Sequence, residues 1–500
     1  MSSHIEREVK LAVWPGFTLP SLDDAAAGIV AVAADDQRLD AVYHDTPDLR
    51  LARENITIRF RNDGGWTLKL PDEPFVVGGL TRREVSAKGD AKTVPDALRA
   101  LVASRVRSAA LAPVARLRTV RHRTDLVDRE GAVVAEVVDD EVSVLDGRRV
   151  ALRFREVEVE LGDGASEAVL DAVVARLRSA GAGAPDPTPK VVRALGPRAQ
   201  VPRELARRPV GKQPTAADVL AAGLAASVTR LLESDPIMRT TDEPEGVHQA
   251  RVATRRLRSD LRTFGDLLEP AWAGPLRDEL RWVADVLGEV RDPDVLLIRL
   301  RRQLDGLRRS DRVVGTALLD VVAGARADAR GQLDAVLGSE RYFMLLDRLV
   351  AAAGEPLVRP GAAAPASKVL PRLARRPWAA LEKAAARIGP NSADEELHAV
   401  RVKAKRARYA AEVAARVIGK PAQQYADEVA RVQDVLGEHQ DACVAREWLR
   451  TTAVGVEPAA AFVAGQLAMV QDTEAAARRR EWVGAWERAS KKKHRAWLTR

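Results

Sequence analysis

The chain has 500 residues, too many for a single hydrophobic core, so two or three domains are expected. With 46% hydrophobic and 30% charged residues it is not composed like a disordered chain, and no apolar run reaches the length of a membrane span. A formal net charge of +8 points to polyanionic partners without choosing among nucleic acid, phosphate chains and acidic lipid. The first residues lack the basic-then-apolar layout of a signal peptide, and Cys443 is the only cysteine, so a cytoplasmic, reducing location is the expectation.

The opening segment IEREVKL places Glu6, Glu8 and Lys10 at every second position, with Val9 and Leu11 apolar between them. On a strand, side chains two apart share a face, so two carboxylates and an ammonium point the same way. Further strand-like runs follow: ITIRFR, GGWTLKL after Asn62-Asp63, TRREVSA after Gly78-Gly79, VVAEVVDDEVSV and LRFREVEVEL. Ala-rich stretches at 21–34, 94–107 and 166–180 are expected to be helical, which gives an α+β domain on an antiparallel sheet.

Nearly every one of these strands carries an ionic face. Arg59 and Arg61 share one in TIRFR, Lys69 lies in WTLKL, Arg82 and Glu84 share one in TRREVS, and Glu156, Glu158 and Glu160 alternate with Val157, Val159 and Leu161. On a single half-exposed sheet such charges would simply face solvent. Repeated on strand after strand, they favour a closed sheet with a charged interior. A tunnel lined by both signs would bind an oligophosphate through its cations and a divalent metal through its carboxylates. Two registers stay open: Asp139 competes with Asp140, which is preferred for its parity with Glu136, and Arg116 and Arg118 compete with Arg121 and Arg123.

The ordered series over residues 1–196 resembles the CYTH domain of the triphosphate tunnel metalloenzymes: ExExK as Glu6-Arg7-Glu8-Val9-Lys10, then ITIRFR, WTLKL, GGLTRRE, FREVEVEL and PKVVRAL. The resemblance implies an eight-stranded antiparallel β-tunnel that hydrolyses triphosphates with Mg²⁺ or Mn²⁺. It makes Glu6, Glu8 and Lys10 the catalytic group. Glu6, Glu8, Asp140, Glu156, Glu158 and Glu160 are the candidate metal ligands. Lys10, Arg59, Arg61, Lys69, Arg82, Arg121, Arg123, Lys190 and Arg193 are the candidate phosphate-binding cations.

Residues 197–212 are rich in Pro and Arg and read as a linker. From 213 to 500 helical periodicity dominates, and an internal repeat appears. VHQARVATRRLRSDLRTF at 247–264 returns as LHAVRVKAKRARYAAEVA at 397–414, and VADVLGEVRDPDV at 283–295 returns as VQDVLGEHQDACV at 432–444. In the first copy His248, Arg251, Arg255, Arg258 and Arg262 form one helical stripe; in the second His398, Arg401, Lys405 and Arg408 do, and the series ends at Glu412. A stripe of like charges repels itself, and its presence in both copies favours an anion that relieves it. A second stripe, Ala250, Thr254, Leu257, Leu261, Phe264 and Leu268, with its counterpart Val400, Ala404, Ala407, Ala411, Ala414 and Ile418, is the one available for packing.

This half resembles the CHAD domain, the conserved histidine α-helical domain. The resemblance implies an all-α pair of four-helix bundles about a pseudo-two-fold, binding inorganic polyphosphate through the two basic stripes. The combined expectation is a divalent-metal-dependent triphosphatase acting on inorganic tripolyphosphate, joined to a polyphosphate-binding module and associated with polyphosphate granules. The competing reading is a non-catalytic polyphosphate-binding protein. Nucleic acid is disfavoured as a partner because the stripes do not interleave aromatics with their cations, and a membrane is not expected.

Overall fold

Alternation of apolar and ionic side chains produces eight strands, β1 (Ser2–Val13), β2 (Val30–Asp45), β3 (Thr57–Arg61), β4 (Gly65–Pro71), β5 (Leu80–Ala87), β6 (Ala112–Val127), β7 (Val133–Asp146) and β8 (Arg149–Leu161). The computed structural model describes residues 2–72, 79–205 and 210–499. The strands close into a barrel in the order β1-β5-β4-β3-β2-β6-β7-β8, antiparallel throughout, with Lys10 opposite Glu158 where β8 meets β1. Closure leaves no free sheet edge and gives each strand one inward and one outward face.

The outward apolar faces are covered by helices. Ile58, Trp66, Leu68 and Val85 pack with Leu98 and Val102 of helix α1 (Asp96–Val106). Val9, Leu11, Val137, Val157 and Val159 pack with Leu170, Val173 and Leu177 of α2 (Glu167–Ser179). A third cluster lies on inward-facing positions, where Tyr43, Leu117 and Val142 meet Val191 and Val192 of α3 (Lys190–Leu195). That short helix therefore plugs part of the interior and brings Lys190 with it.

The helix expected over 21–34 does not form. Asp24 and Gly28 have positive φ, the Asp23 carboxylate accepts from the Ala31 amide at 3.0 Å, and Val30–Ala34 pairs with Val127–Arg123 of β6. Strand pairing outweighs the helix preference of the alanines. Both register questions are also answered: Asp140 and Arg121 point inward, whereas Asp139 pairs outside with Arg155 at 2.5 Å, Arg118 pairs with Asp40 at the surface, and Arg116 is exposed. Within the expected linker, Gly196–Ala199 forms a 3₁₀ turn and Glu204 holds Arg107 at 2.7 Å; residues 206–209, like Gly78 of the expected Gly-Gly turn, lie outside the described residues.

Contacts divide the chain into two compact units, Met1–Glu204 and Leu205–Arg500. The second is helical: α4 (Ala216–Thr240), α5 (Pro244–Thr263), α6 (Pro270–Leu304), α7 (Arg309–Leu337), α8 (Glu340–Gly354), α9 (Ala366–Ala385), α10 (Asp394–Ile418), α11 (Lys420–Thr452) and α12 (Pro458–Ala489). The starts of α4, α5, α6 and α7 recur in α9, α10, α11 and α12 after 150, 150, 150 and 149 residues (366 − 216, 394 − 244, 420 − 270 and 458 − 309). The four-helix plan is thus present twice.

The copies meet reciprocally. The Ala216 amide donates to the Ala364 carbonyl at 3.0 Å and the Ala366 amide to the Pro214 carbonyl at 2.9 Å, the same bond made from either side of a pseudo-two-fold. Along α5 and α10 the apolar stripes enter one continuous core, from Ala250 to Leu268 and from Val400 to Ala414, with Ile418 at its margin.

Replacing Leu98 by Ala removes a fully buried side chain between α1 and the sheet. The barrel is expected to lose about 2–5 kcal/mol, read as a lower urea midpoint by far-UV circular dichroism, with the helical unit's transition unmoved.

Candidate functional site

Inside the barrel, a cavity of about 150 Å³ is lined by Glu6, Lys10, Arg59, Arg61, Lys69, Arg82, Arg121, Glu158, Glu160 and Lys190, with His4, Tyr43, Thr57 and Glu84. Strand parity places these groups: β1 contributes residues 6 and 10, β3 residues 57, 59 and 61, and β8 residues 158 and 160, each two or four apart. Glu8, Asp140 and Glu156 are buried just behind that lining. Sequence reasoning missed Tyr43: β2 was not among the expected strands, and an isolated Tyr in a run of Ala and Asp gave no chemical signal.

The interior ions are paired across strands. Both Glu6 oxygens accept from Lys69 at 2.6 Å, and Glu84 lies 3.1 Å from the same ammonium. Lys10 bridges Glu158 and, at 3.2 Å, Glu8. Arg121 forks onto Asp140 at 2.8 and 2.7 Å. Lys190 reaches Asp140, Glu156 and Glu158 at 3.0, 2.8 and 2.7 Å. Arg193 holds Glu156 at 3.2 Å and Asp186 at 2.6 Å, and Arg123 holds Glu136 at 2.5 Å; both lie outside the cavity lining.

These pairs set the protonation states. Burial pushes the Glu6 carboxyl up, but Lys69 and Lys10 outweigh it and hold it at about 2. Burial also opposes ionisation of Glu158, yet Lys10, Lys190 and Arg121 carry it well below the usual carboxylate range. Burial works against the Lys190 ammonium, and Glu156, Glu158 and Asp140 overcome it, so it stays charged. Glu160 goes the other way: burial, reinforced by Glu6, Glu8 and Glu136, pushes it up to about 7.

Glu160 makes no salt bridge among the described residues, and Glu8 Oε1 is buried without a hydrogen-bond partner. A crowd of carboxylates with one oxygen orphaned and one acid held half-protonated fits a hard divalent cation with oxygen ligands. On the opposite side, Arg59 donates to the Tyr43 hydroxyl at 3.3 Å while its buried Nε has no partner. That guanidinium can still receive an anion.

In the helical unit, α5 and α10 face each other across a second cleft, of about 360 Å³. His248, Arg251 and Arg255 line it from α5, and His398, Arg401 and Lys405 from α10. The stripes do not run on through it. Arg258 lies beside Asp285, Arg262 beside Arg406 and Arg277, and Arg408 donates to Glu412 at 2.7 Å. Glu412, which ends the second stripe, also forms an ion pair with Arg256, so it ties the repeats together instead of lining the cleft.

Sequence reasoning missed Arg291, Asp292, Arg299, Gln440 and Asp441 in this lining. Asp292 and Asp441 occupy equivalent places in RDPDV and QDACV, so the repeat offset could have found them. Asp292 holds Arg251 at 2.5 Å, and Arg299 is neutralised by Glu438 at 3.2 Å and by Glu474. Burial depresses both cleft histidines; Arg291 adds to it at His248, and Arg401 and Lys405 add to it at His398. Elsewhere in this unit Asp394, His439 and Cys443 bring a carboxylate, an imidazole and a thiol within 4.8 Å of one another, but Arg479 at 2.6 Å and Arg446 at 3.0 Å already neutralise the carboxylate.

Residues 4–187 match the CYTH domain and residues 222–450 the CHAD domain. Over 484 residues the chain is 37% identical to the uncharacterized protein Rv2226 of Mycobacterium tuberculosis, covering 91% of this chain and 90% of that one. The chain belongs to the CYTH–CHAD family. Among solved structures it is similar to PptA from Streptomyces chartreusis (27% identity, 55% of this chain and 99% of that one, TM-score 0.47) and to the CHAD domain of Ricinus communis (25% identity, 56% and 95%, TM-score 0.46). Its CYTH unit has the triphosphate-tunnel architecture of that family. Among the described residues no helix is long and apolar enough to cross a membrane.

The Glu160 carboxyl gives a test of the crowding in the tunnel. Its folded pKa of about 7 lies above the ordinary 4.5, so ionising it costs stability in full above pH 7, and the cost disappears as pH falls towards 4.5. Glu160→Gln is therefore expected to raise the calorimetric midpoint of the barrel at pH 8 without divalent metal. The gain should shrink to nothing near pH 4.5.

Proposed function

We propose that the CYTH unit is a divalent-metal-dependent triphosphatase whose substrate is inorganic tripolyphosphate, cleaved to pyrophosphate and phosphate, and that the CHAD unit binds inorganic polyphosphate. The observation that carries the first part is a cavity inside the closed barrel with Arg59, Arg61, Arg82 and Arg121 on some strands and Glu6, Glu158 and Glu160 on others. Guanidiniums fork onto phosphate oxygens, and an acidic wall cannot: it needs a cation between itself and the substrate. The described lining holds no Phe or Trp, and its one Tyr, Tyr43, is engaged by Arg59, which leaves few stacking surfaces for a base. An inorganic chain suits such a cavity better than a nucleotide does.

Glu6, Glu8, Glu158 and Glu160 would hold Mg²⁺ or Mn²⁺, with Asp140 and Glu156 keeping Lys190 in place behind them. When bound, the ion supplies charge neutralisation at the phosphoryl group and a more acidic water. The chain's own part is positioning: Arg59 and Arg121 orient the phosphate chain, Lys10 and Lys69 neutralise it, and α3 closes the interior around Lys190.

Glu8→Gln keeps the shape of the side chain and removes a ligand charge; it is expected to lower tripolyphosphate turnover with Mg²⁺ by about 100-fold or more. Arg59→Ala should raise KM as well as lower kcat, because part of a phosphate contact is already made in the ground state. Phosphate release measured on tripolyphosphate, ATP and thiamine triphosphate decides the substrate. Wild-type rates in both variants on all three would replace the hydrolase with a binding protein.

For the CHAD unit the support is the convergence of His248, Arg251, Arg255, His398, Arg401 and Lys405 on one cleft from two repeats. Reversing Arg255 and Lys405 to Glu in the full chain is expected to weaken long-chain polyphosphate binding by about 100-fold and to flatten its salt dependence. Reversing Lys491 and Lys492, exposed near the C-terminus, should change it little. Equal losses from both pairs would mean that net charge alone attracts the polyanion.

A further inference from the structure

Lys405 differs from every lysine of the tunnel. Lys10, Lys69 and Lys190 each sit against carboxylates, whereas Lys405 makes no salt bridge among the described residues. Its electrostatic neighbours are the guanidiniums of Arg401 on its own helix and of Arg255 and Arg251 on α5. The acid that faces it, Asp441 on α11, is itself pushed up by burial, and Asp292 on α6 is taken by Arg251. His248 and His398, both depressed, Arg291, and Arg299, which is paired with Glu438 and Glu474, are the other titratable groups lining the cleft.

The first repeat has Arg255 where the second has Lys405. A guanidinium does not give up its proton in a protein, but an ammonium crowded by cations and half-buried does. Burial and the three guanidiniums bring the Lys405 amine down to about 7. At neutral pH a large share of it is a free amine, a nucleophile at the wall of a cavity that attracts anions.

We propose that Lys405 is a modification site, acylated inside the cleft by small acyl phosphates, and that this acylation turns down the cleft's affinity for phosphate chains. The guanidiniums take the phosphate group of the reagent. The amine lone pair attacks the acyl carbon, the C–O bond to phosphate breaks with its electron pair leaving on phosphate, and the amine loses one proton to solvent. The products are an amide and inorganic phosphate. The amide carries no charge and cannot take up a proton when an anion arrives, so the cleft loses the cation Lys405 would supply at the meeting point of its two repeats. The modification site needs only that the cleft attracts phosphate groups; its effect on affinity rests on the polyphosphate reading.

The test treats the full-length protein with acetyl phosphate at pH 7.5 and follows each lysine by peptide mass spectrometry, with exposed Lys491, Lys492 and Lys493 as internal references. Lys405 is expected to react about ten-fold faster than these: its free-amine fraction is several hundred-fold larger, and lower basicity offsets part of that advantage. Tripolyphosphate should slow the reaction at Lys405 and not at the references. A neutral acyl ester should show a smaller preference for Lys405 than acetyl phosphate does. Treated wild type should bind polyphosphate more weakly, and Lys405→Arg, treated alike, should not change.

Equal rates at all four lysines, or an equal preference with both reagents, would overturn the proposal. The two readings fail separately. Selective acylation without polyphosphate binding would sink the polyphosphate assignment and the effect on affinity but leave the modification site standing, and polyphosphate binding without selective acylation would sink the modification site alone.

Discussion

Charge balance inside a closed sheet is the constraint on which the barrel depends. An isolated ion moved from water into such an interior costs several kcal/mol even after relaxation, and the tunnel contains acids and bases on nearly every strand. They are tolerable because the register puts opposite signs in contact: Lys10 falls opposite Glu158, Lys69 opposite Glu84, and Arg121 opposite Asp140. A one-residue slip of any strand would turn its ions outward and its valines inward. Lys190 extends the same balance to a helix, since the three carboxylates it touches fix α3 in the barrel. Truncating Lys190 would leave buried acids uncompensated and loosen the end of the tunnel that α3 fills.

The helical cleft handles charge by a different rule. Its cations outnumber its acids, and only Arg251 and Arg299 among the lining cations are paired with a carboxylate within the described residues. A balanced site and an unbalanced one take different ligands. The tunnel, with Glu8 Oε1 lacking a hydrogen bond on one side and the under-coordinated Arg59 guanidinium on the other, suits a cation and an anion together. The cleft suits an anion: burial and neighbouring cations depress His248, His398, Arg401 and Lys405 there, whereas in the tunnel the carboxylates, against burial, raise Lys69, Lys190 and Arg121, and burial with the carboxylates pushes Glu160 up as well.

Most of this was legible from period and repetition. Parity along β1, β3 and β8 named the inward groups before any fold was known, because closure turns a period of two into inside and outside. The repeat named both helices of the cleft. What escaped has physical reasons. Residues 21–34 read as helix because alanine propensity is local and the pairing with β6 is not. The basic stripes read as continuous because helical period says which side chains share a face, but it cannot say where a partner helix covers that face. Arg258 and Arg262 are therefore on the right face and beyond the cleft.

The two repeats are most informative where they differ. A linear phosphate chain reads the same from either end, so a site with a two-fold axis suits it, and the reciprocal bonds at Ala216 and Ala366 show the axis is kept in the backbone. Side chains break it at chosen positions. Beyond the cleft, Arg262 becomes Glu412, which pairs with Arg256 and locks the repeats together. Arg255 becomes Lys405, which remains in the cleft and exchanges a permanent charge for one that can be lost. The first change serves assembly. The second weakens the resting cleft for anions at neutral pH, and a site built only for the tightest grip on phosphate would have kept arginine in both halves.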